Sequence, residues 1–456
     1  MNVSDLSRFP QTAAGKKAEV LGIGVSNLPL VDFLLQCGVL VTVRDRKSEE
    51  QLGNLPKELK AKGVSLITGE HYLNDLEGDY IFRSPGIRPD LPEILMGVAK
   101  GALLTSEMEL FFALCKAKTL AVTGSDGKTT TTTLVSLLLK EAGHRVYVGG
   151  NIGSPLLPLV NEMTEEDFAV LELSSFQLMT LRQSAEIAAV TNLSPNHLDW
   201  HRGMEEYIEA KTNIFVHKEN RILVLNADNP PSCPLAQQAQ GEIRLFSSEK
   251  ELPSGMYEQE GNIYLDGQQI LKNEEILLPG RHNRQNYMTA YSMVRDFVPV
   301  EALRRVAESF RGVEHRLEFV REYRGVKIYN SSIDSSPSRT AAALSCFGEK
   351  VNVICGGYDK HIPFAPLAEA LCQKARTVTL TGATAQAIEQ ALSECPLTDK
   401  PVILREPDFT KAVLKALEAC RPGEVLLLSP GCASFDAFPN FMVRGNTFKK
   451  LINDLK

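Results

Sequence analysis

The sequence predicts an α/β protein of three domains: a Rossmann-like N-terminal domain, a central parallel-sheet domain and a C-terminal, doubly wound, Rossmann-like domain. Three observations carry that prediction. The chain has 456 residues, more than one hydrophobic core usually organises. Short apolar runs alternate with segments of helical spacing along most of its length, as sheets flanked by helices require. The pattern also restarts near residues 106 and 312, which sets the expected domains at 1–106, 107–312 and 313–456.

The first domain opens as β-α-β. Ala18 to Gly24 is an apolar run, Leu28 to Cys37 has helical spacing closed by Gly38, and Val39 to Val43 is a second strand ending at Asp45. The turn Gly22-Ile-Gly-Val-Ser-Asn27 matches only part of the dinucleotide fingerprint, because Asn27 stands where the third glycine would be. Asp45 follows at the distance of a ribose-binding acid, so NAD, another nucleotide or a plain strand-to-helix turn all remain open. A further strand, Asp79 to Arg83, runs into Ser84-Pro-Gly86, a rigid turn at the end of a strand where open sheets place ligands.

The central domain begins with the strand Lys118 to Thr123, a glycine-bracketed turn and a helix from Lys128 to Glu141, with Gly143 as its C-cap. The turn, Gly124-Ser-Asp-Gly-Lys-Thr129, is a short GxxGKT loop. Position 122 is valine, so the longer GxxxxGK[ST] pattern fails. Its physical logic survives: Gly124, Ser125, Asp126 and Gly127 turn backbone N–H groups inward, the helix start adds positive potential, and Lys128 neutralises phosphate oxygens. The hydroxyl of Thr129 or Thr130 can face Mg²⁺. This is a P-loop ATPase-like arrangement.

Strands follow at 145–149, 168–173, 186–191 and 221–225, several ending in polar residues such as Asn151 and Glu172. Residues 241–278 read as short antiparallel strands. Gly280-Arg-His-Asn-Arg-Gln-Asn286 then heads a helix to about Phe297. In the third domain two strands, 317–322 and 326–330, precede a serine-rich loop at 331–338, with strands at 351–355, 376–381, 401–405 and 424–429 beyond it.

Composition excludes some functions. Net charge is -7 and pI near 5.8, which argues against a general grip on nucleic acid or an anionic membrane. No apolar run reaches the roughly 20 residues of a membrane span, and the polar start has no signal-peptide core. Nine cysteines, without a CxxC pair, favour reduced thiols. A cytoplasmic monomer acting on small molecules is expected.

The motifs Val122-Thr-Gly-Ser-Asp-Gly-Lys-Thr-Thr130, Gly150-Asn-Ile-Gly153, Glu172-Leu-Ser-Ser-Phe-Gln-Leu178, Asn196-His-Leu-Asp199, Glu209-Ala-Lys211, His282-Asn-Arg-Gln-Asn286, His315-Arg316 and Leu428-Ser-Pro-Gly-Cys-Ala-Ser434 together resemble the ATP-dependent Mur ligases. The resemblance covers essentially the whole chain in order, and is strongest to the branch that adds D-glutamate to UDP-N-acetylmuramoyl-L-alanine. It implies that Lys128 and its loop hold ATP phosphates. Thr129 and Glu172 would serve one Mg²⁺ and His197 a second, with Lys211 carbamylated beside it. Asn283, Asn286 and Arg316 match nucleotide-contacting positions. Ser335, Lys360, Ser434, Phe435 and Phe441 match the amino-acid site. The N-terminal turn then belongs to UDP, with Ser26, Arg46, Lys47 and Ser84 as contacts and Asn151 toward the muramoyl end.

Two further departures from the family pattern stand out. Asp126 replaces an asparagine inside the loop. Ser331 replaces an aspartate, and Asp334 or a water is expected to take over the ribose contact. Alternatives are a sibling Mur or folylpolyglutamate-type ligase with another acceptor, an NAD-dependent dehydrogenase built on Gly22 to Asp45, or a non-catalytic nucleotide-binding regulator.

Overall fold

The computed structural model describes every residue except 1–2, 25–26, 199, 279, 360–361 and 456. Among the described residues there are three sheets. The first has five parallel strands in the order Ser65–Thr68, Leu40–Asp45, Lys17–Leu21, Tyr80–Arg83, Leu103–Thr105. The reversal of direction beside Lys17–Leu21 opens a crevice at the carboxyl ends of the central strands, the position where such sheets bind ligands. The two outer strands are short. Ser65–Thr68 is an edge strand with no fully buried residue, so it lacks the apolar run that marks its neighbours.

The central sheet is ordered Gln268–Leu271, Asn262–Leu265, Met256–Gln259, Glu242–Ser247, Ile222–Asn226, Ile187–Val190, Lys118–Thr123, Phe168–Glu172, Val146–Gly150. From Met256–Gln259 to Val146–Gly150 it is parallel, and the hairpin that joins Met256–Gln259 to Asn262–Leu265 is antiparallel. Strand Lys118–Thr123 is buried from its second residue onward and lies between Phe168–Glu172 and Ile187–Val190. Its continuous apolar character follows from having both faces covered. The third sheet is ordered Glu318–Tyr323, Val326–Asn330, Val425–Leu428, Val351–Cys355, Ala375–Leu380, Val402–Arg405, with one antiparallel edge hairpin and otherwise parallel pairs.

The chain divides into two compact units. One comprises Met1–Ile270 with Gln285–Leu303, and the other Leu271–Arg284 with Arg304–Lys456. In the first unit a single apolar core runs from the N-terminal sheet into the central one, joining Phe9, Leu30 and Phe82 to Phe111, Leu157, Leu173 and Phe215. The second unit has its own cores on the two faces of its sheet, one around Val353, Leu371 and Leu427 and the other around Ile354, Leu426 and Phe448. The nine cysteines are unpaired thiols. Among the described residues no helix is long and apolar enough to cross a membrane.

Candidate active site around the phosphate loop

The loop 124–127 is shaped by glycines that nothing larger could replace. Gly124 has φ +143°, and a Cβ there would lie 1.9 Å from Thr191 Oγ1. Gly127 has φ +79°, and its Cβ would lie 2.5 Å from Asn286 Oδ1. Both conformations favour glycine. The neighbouring strand end holds the loop in place: Ser125 N–H donates to the Asn192 carbonyl at 2.9 Å, and Asp126 N–H to Asn192 Oδ1 at 3.0 Å. Thr191 Oγ1 donates to the Asp126 carbonyl at 2.6 Å. Ser125 Oγ is 2.9 Å from Tyr207 Oη and accepts from Ser194 N–H. Asp126 is exposed, and the loop is held here through its backbone N–H and carbonyl.

Lys128 begins the helix Lys128–Glu141, and its ammonium donates to the Gly124 and Ser125 carbonyls at 3.0 and 2.9 Å. Thr129 is half-buried and Thr130 buried beside it. Thr131 Oγ1 donates to Asn286 Oδ1 at 3.2 Å, placing Asn286 against this helix.

Two ionisable side chains lie beneath and beside the loop. Lys211 comes from the helix Met204–Thr212 and is 1% exposed. Its ammonium donates to Thr123 Oγ1 at 3.1 Å and to the Gly124 carbonyl at 2.9 Å, over the Tyr207 ring. Burial, reinforced by the charge of Lys128 and opposed by Glu172, holds its pKa well below the ordinary lysine value. Glu172 ends the strand paired with Lys118–Thr123, where it is in register with Val122. Asn151 Nδ2 donates to Glu172 Oε1 at 2.8 Å, and Asn151 N–H to the Glu172 carbonyl at 2.7 Å. Glu172 Oε2 is buried with no hydrogen-bond partner among the described residues. A desolvated carboxylate oxygen in that state fits a cation.

His197 is exposed, at φ +53°, with its ring 4.9 Å from that of Phe176. Among the described residues no group of three or more His, Cys, Asp and Glu forms a metal cage.

In the N-terminal domain a cavity of about 270 Å³ is lined by Gly22, Ile23, Gly24, Asp45, Arg46, Tyr72, Ser84 and Ile87. Arg46 and Ser84 are thus among the residues that line it. Lys47 is exposed and is not among these lining residues, and Ser26 lies outside the described residues. Both Asp45 carboxylate oxygens accept backbone N–H groups, from Ile23 and Lys47, each at 2.8 Å. The acid thus ties two turns together. Asn27 Nδ2 donates to the Leu21 and Gly22 carbonyls, which explains an asparagine at the third-glycine position.

The second unit holds the remaining predicted residues. Asn283 is buried in the first turn of the helix Arg281–Val294. Asp334 is buried and accepts from Ser429 Oγ at 2.8 Å; burial raises its pKa to about 6, and the charge of Arg316 opposes that rise. Ser331 Oγ accepts from Leu317 N–H. Ser335 is half-buried and Ser434 buried. Phe441 lies edge-on to His315 at 5.9 Å, while Phe435 is 63% exposed and packs against Tyr358. Lys360 lies outside the described residues. Sequence reasoning missed Arg444, which is 2% exposed and whose guanidinium donates to Ser332 Oγ and to the carbonyls of Ser332, Cys432 and Ala433. It also missed Tyr207 and Thr191, which shape the loop but belong to none of the expected chemical types.

A glycine-bracketed loop between a central strand and a helix, with a lysine at the helix start and a buried acid on the adjoining strand, defines a phosphate-loop α/β protein. More narrowly, the chain belongs to the Mur ligase family. Residues 16–106 match the Mur ligase MurD-like N-terminal domain, 122–294 the Mur ligase middle domain, and 315–432 the Mur ligase glutamate ligase domain. It is 47% identical to a UDP-N-acetylmuramoylalanine--D-glutamate ligase of Clostridium novyi over 98% of this chain and 99% of the relative. It is 48% identical to the ligase of that name from Clostridium kluyveri, over 98% of both. Among solved structures, the UDP-N-acetylmuramate-alanine ligase of Thermotoga maritima shares the fold, with a TM-score of 0.57 at 17% identity, covering 97% of this chain and 100% of that one.

Proposed function

We propose that this chain is an ATP-dependent ligase that joins D-glutamate to UDP-N-acetylmuramoyl-L-alanine, releasing ADP and phosphate, in the making of peptidoglycan precursor. The observation that carries this reading is the match of nearly half of all residues, over essentially full length, to ligases of that name.

The chemistry divides into two displacements. A carboxylate oxygen of the acceptor's alanine attacks the γ-phosphorus of ATP, the bond to the bridging oxygen breaks, and ADP leaves an acyl phosphate behind. The ammonium of D-glutamate gives up one proton to become nucleophilic, its nitrogen attacks the acyl carbon, and a second proton leaves that nitrogen in the tetrahedral intermediate. The tetrahedral intermediate collapses by expelling phosphate, and an amide remains.

Driving a carboxylate onto a triphosphate is opposed by charge. The loop N–H groups and Lys128 would oppose that repulsion by positioning and charge rather than by covalent chemistry. Mg²⁺ held by Thr129 and Glu172, and a second ion held by His197 and carbamylated Lys211, would supply the remaining screening and polarise the transferring phosphoryl group.

Carbamylation needs an uncharged amine that adds CO₂ and releases a proton. The burial of Lys211 beside Lys128 favours that uncharged form. Asn283, Asn286, Arg316 and Asp334 are assigned to the nucleotide. Ser335, Lys360, Ser434, Phe435 and Phe441 are assigned to D-glutamate. Ser26, Arg46, Lys47 and Ser84 are assigned to UDP, with Asn151 set toward the muramoyl end and already holding Glu172.

The test is phosphate release by the purified protein with ATP, Mg²⁺, UDP-N-acetylmuramoyl-L-alanine and each of D-glutamate, L-alanine, glycine, L-lysine and diaminopimelate. Release that depends on D-glutamate is expected. Release with another amino acid and none with D-glutamate would overturn the assignment.

A further inference from the structure

The turn after strand Tyr80–Arg83 is stitched to the central domain at both ends. Arg83, 1% exposed, donates to the carbonyls of Pro85 and Ile87 within the turn, at 2.9 and 2.7 Å, and to the carbonyl of Phe176 at 2.8 Å. At the other end Arg88 donates to the Trp200 carbonyl at 2.6 Å, grips both oxygens of Glu206 at 2.8 and 3.1 Å, is itself braced by both oxygens of Asp90 at 2.8 and 2.9 Å, and lies 5.0 Å from the centre of the Trp200 ring. Between them Trp200 Nε1 donates to the Gly86 carbonyl at 3.3 Å. The network continues inward, because Glu206 also contacts His201 Nδ1 at 3.3 Å, and His201 Nε2 lies 2.8 Å from Ser175 Oγ.

The placement is unusual in what it joins. Ser84 and Ile87, inside the turn, form part of the wall of the N-terminal cavity. Phe176 follows Glu172 on the same short segment, and Trp200 follows His197. Cohesion between the two domains already comes from their shared apolar core. Arginines bound to carbonyls and a two-pronged carboxylate contact add something that apolar packing lacks, namely fixed direction and distance.

We propose that Arg88, with Glu206 as its carboxylate partner in the central domain, is a positioning residue that fixes the span between the N-terminal cavity and the Glu172–His197 end of the central domain. It thereby sets the length of UDP-linked acceptor whose carboxylate reaches the phosphate loop. This rests on the ligase reading above. An acceptor held at its nucleotide end and reacting at its far end is sensitive to that span, since a displacement of about 1 Å costs about a hundredfold in rate.

The experiment uses the full chain with Arg88→Ala, Arg88→Lys and Glu206→Gln. It compares UDP-N-acetylmuramoyl-L-alanine with UDP-N-acetylmuramate, the acceptor one residue shorter. Arg88→Ala is expected to lower kcat for the alanyl acceptor by roughly ten- to a hundredfold, and to shrink the preference over the shorter acceptor by a similar factor. UDP affinity and KM for ATP should stay within about twofold, because neither site touches Arg88. Arg88→Lys should recover part of the preference, keeping charge without the two-pronged contact. Trp200, the only tryptophan, should show an altered emission maximum in Arg88→Ala.

A wild-type protein inactive with D-glutamate would defeat the ligase reading. An active wild type with kcat and acceptor preference unchanged in Arg88→Ala would overturn this proposal alone. So would equal losses of UDP affinity and kcat with the preference intact. If Arg88→Ala does not fold, the nearly isosteric Glu206→Gln is read by the same criteria.

Discussion

At the scale of single residues, the loop's glycines make the sharpest prediction. Gly124→Ala puts a methyl group 1.9 Å from Thr191 Oγ1 and 3.1 Å from the Asn192 carbonyl, at a backbone angle that alanine resists. A stability loss of at least about 2 kcal/mol is expected, with ATP binding abolished, measured by urea denaturation and titration calorimetry. Glu172→Gln keeps an acceptor for Asn151 but removes the negative charge; kcat should fall by roughly a hundredfold or more, with UDP affinity unchanged in equilibrium binding. Lys211→Ala should be inactive and partly rescued by small carboxylates; no rescue would count against carbamylation. Lys128, Glu172 and the loop were legible because their chemistry follows from residue type and order. The hold on the Asp126 backbone and the tie that Asn27 makes to the preceding strand end were not, since both depend on which neighbours the fold supplies: Thr191 and Asn192 for the one, the Leu21 and Gly22 carbonyls for the other.

At the scale of elements, the short helix Ser175–Leu178 is fixed by a capping box. Ser174 Oγ accepts from Gln177 N–H at 3.3 Å, and Gln177 Oε1 accepts from Ser174 N–H at 3.0 Å. Ser174→Ala should cost about 1 kcal/mol and, two residues from Glu172, should lower kcat more than it raises KM for ATP. The helix Glu107–Leu114 carries a pH dependence. Burial pushes the Glu107 carboxyl up to about 7 from an ordinary 4.5. The folded state therefore keeps a proton that the unfolded chain releases, and this group's contribution falls as pH rises from about 4.5 to 7. Glu107→Gln cannot ionise, so it should be more stable than wild type at pH 8 by on the order of 2 kcal/mol. The gain should vanish by pH 4, as thermal melts at the two pH values would show. Strands with buried runs were readable from sequence. Ser65–Thr68 was missed because an exposed edge leaves no periodicity, and Leu103–Thr105 because three residues are too few to show one.

At the scale of the molecule, alternation of strands and helices was enough to predict three sheets. It could not reveal that the first two share one core, because that core gathers residues such as Phe82 and Leu157 that lie far apart in the chain. That sharing predicts a linked response: UDP bound in the N-terminal cavity at about a hundred times its Kd should add about 2.7 kcal/mol to unfolding reported by Trp200 in the central domain. A melting temperature at Trp200 that ignores UDP would mean that the two domains melt separately. The same core bears on descent. A chimera that exchanges residues 1–106 for those of a distant relative would inherit a surface whose counterpart, Phe111, Leu157 and Phe215, stays behind in the recipient. New acceptor specificity in this lineage is then easier to acquire by changing the rim of the cavity than by trading the module that contains it.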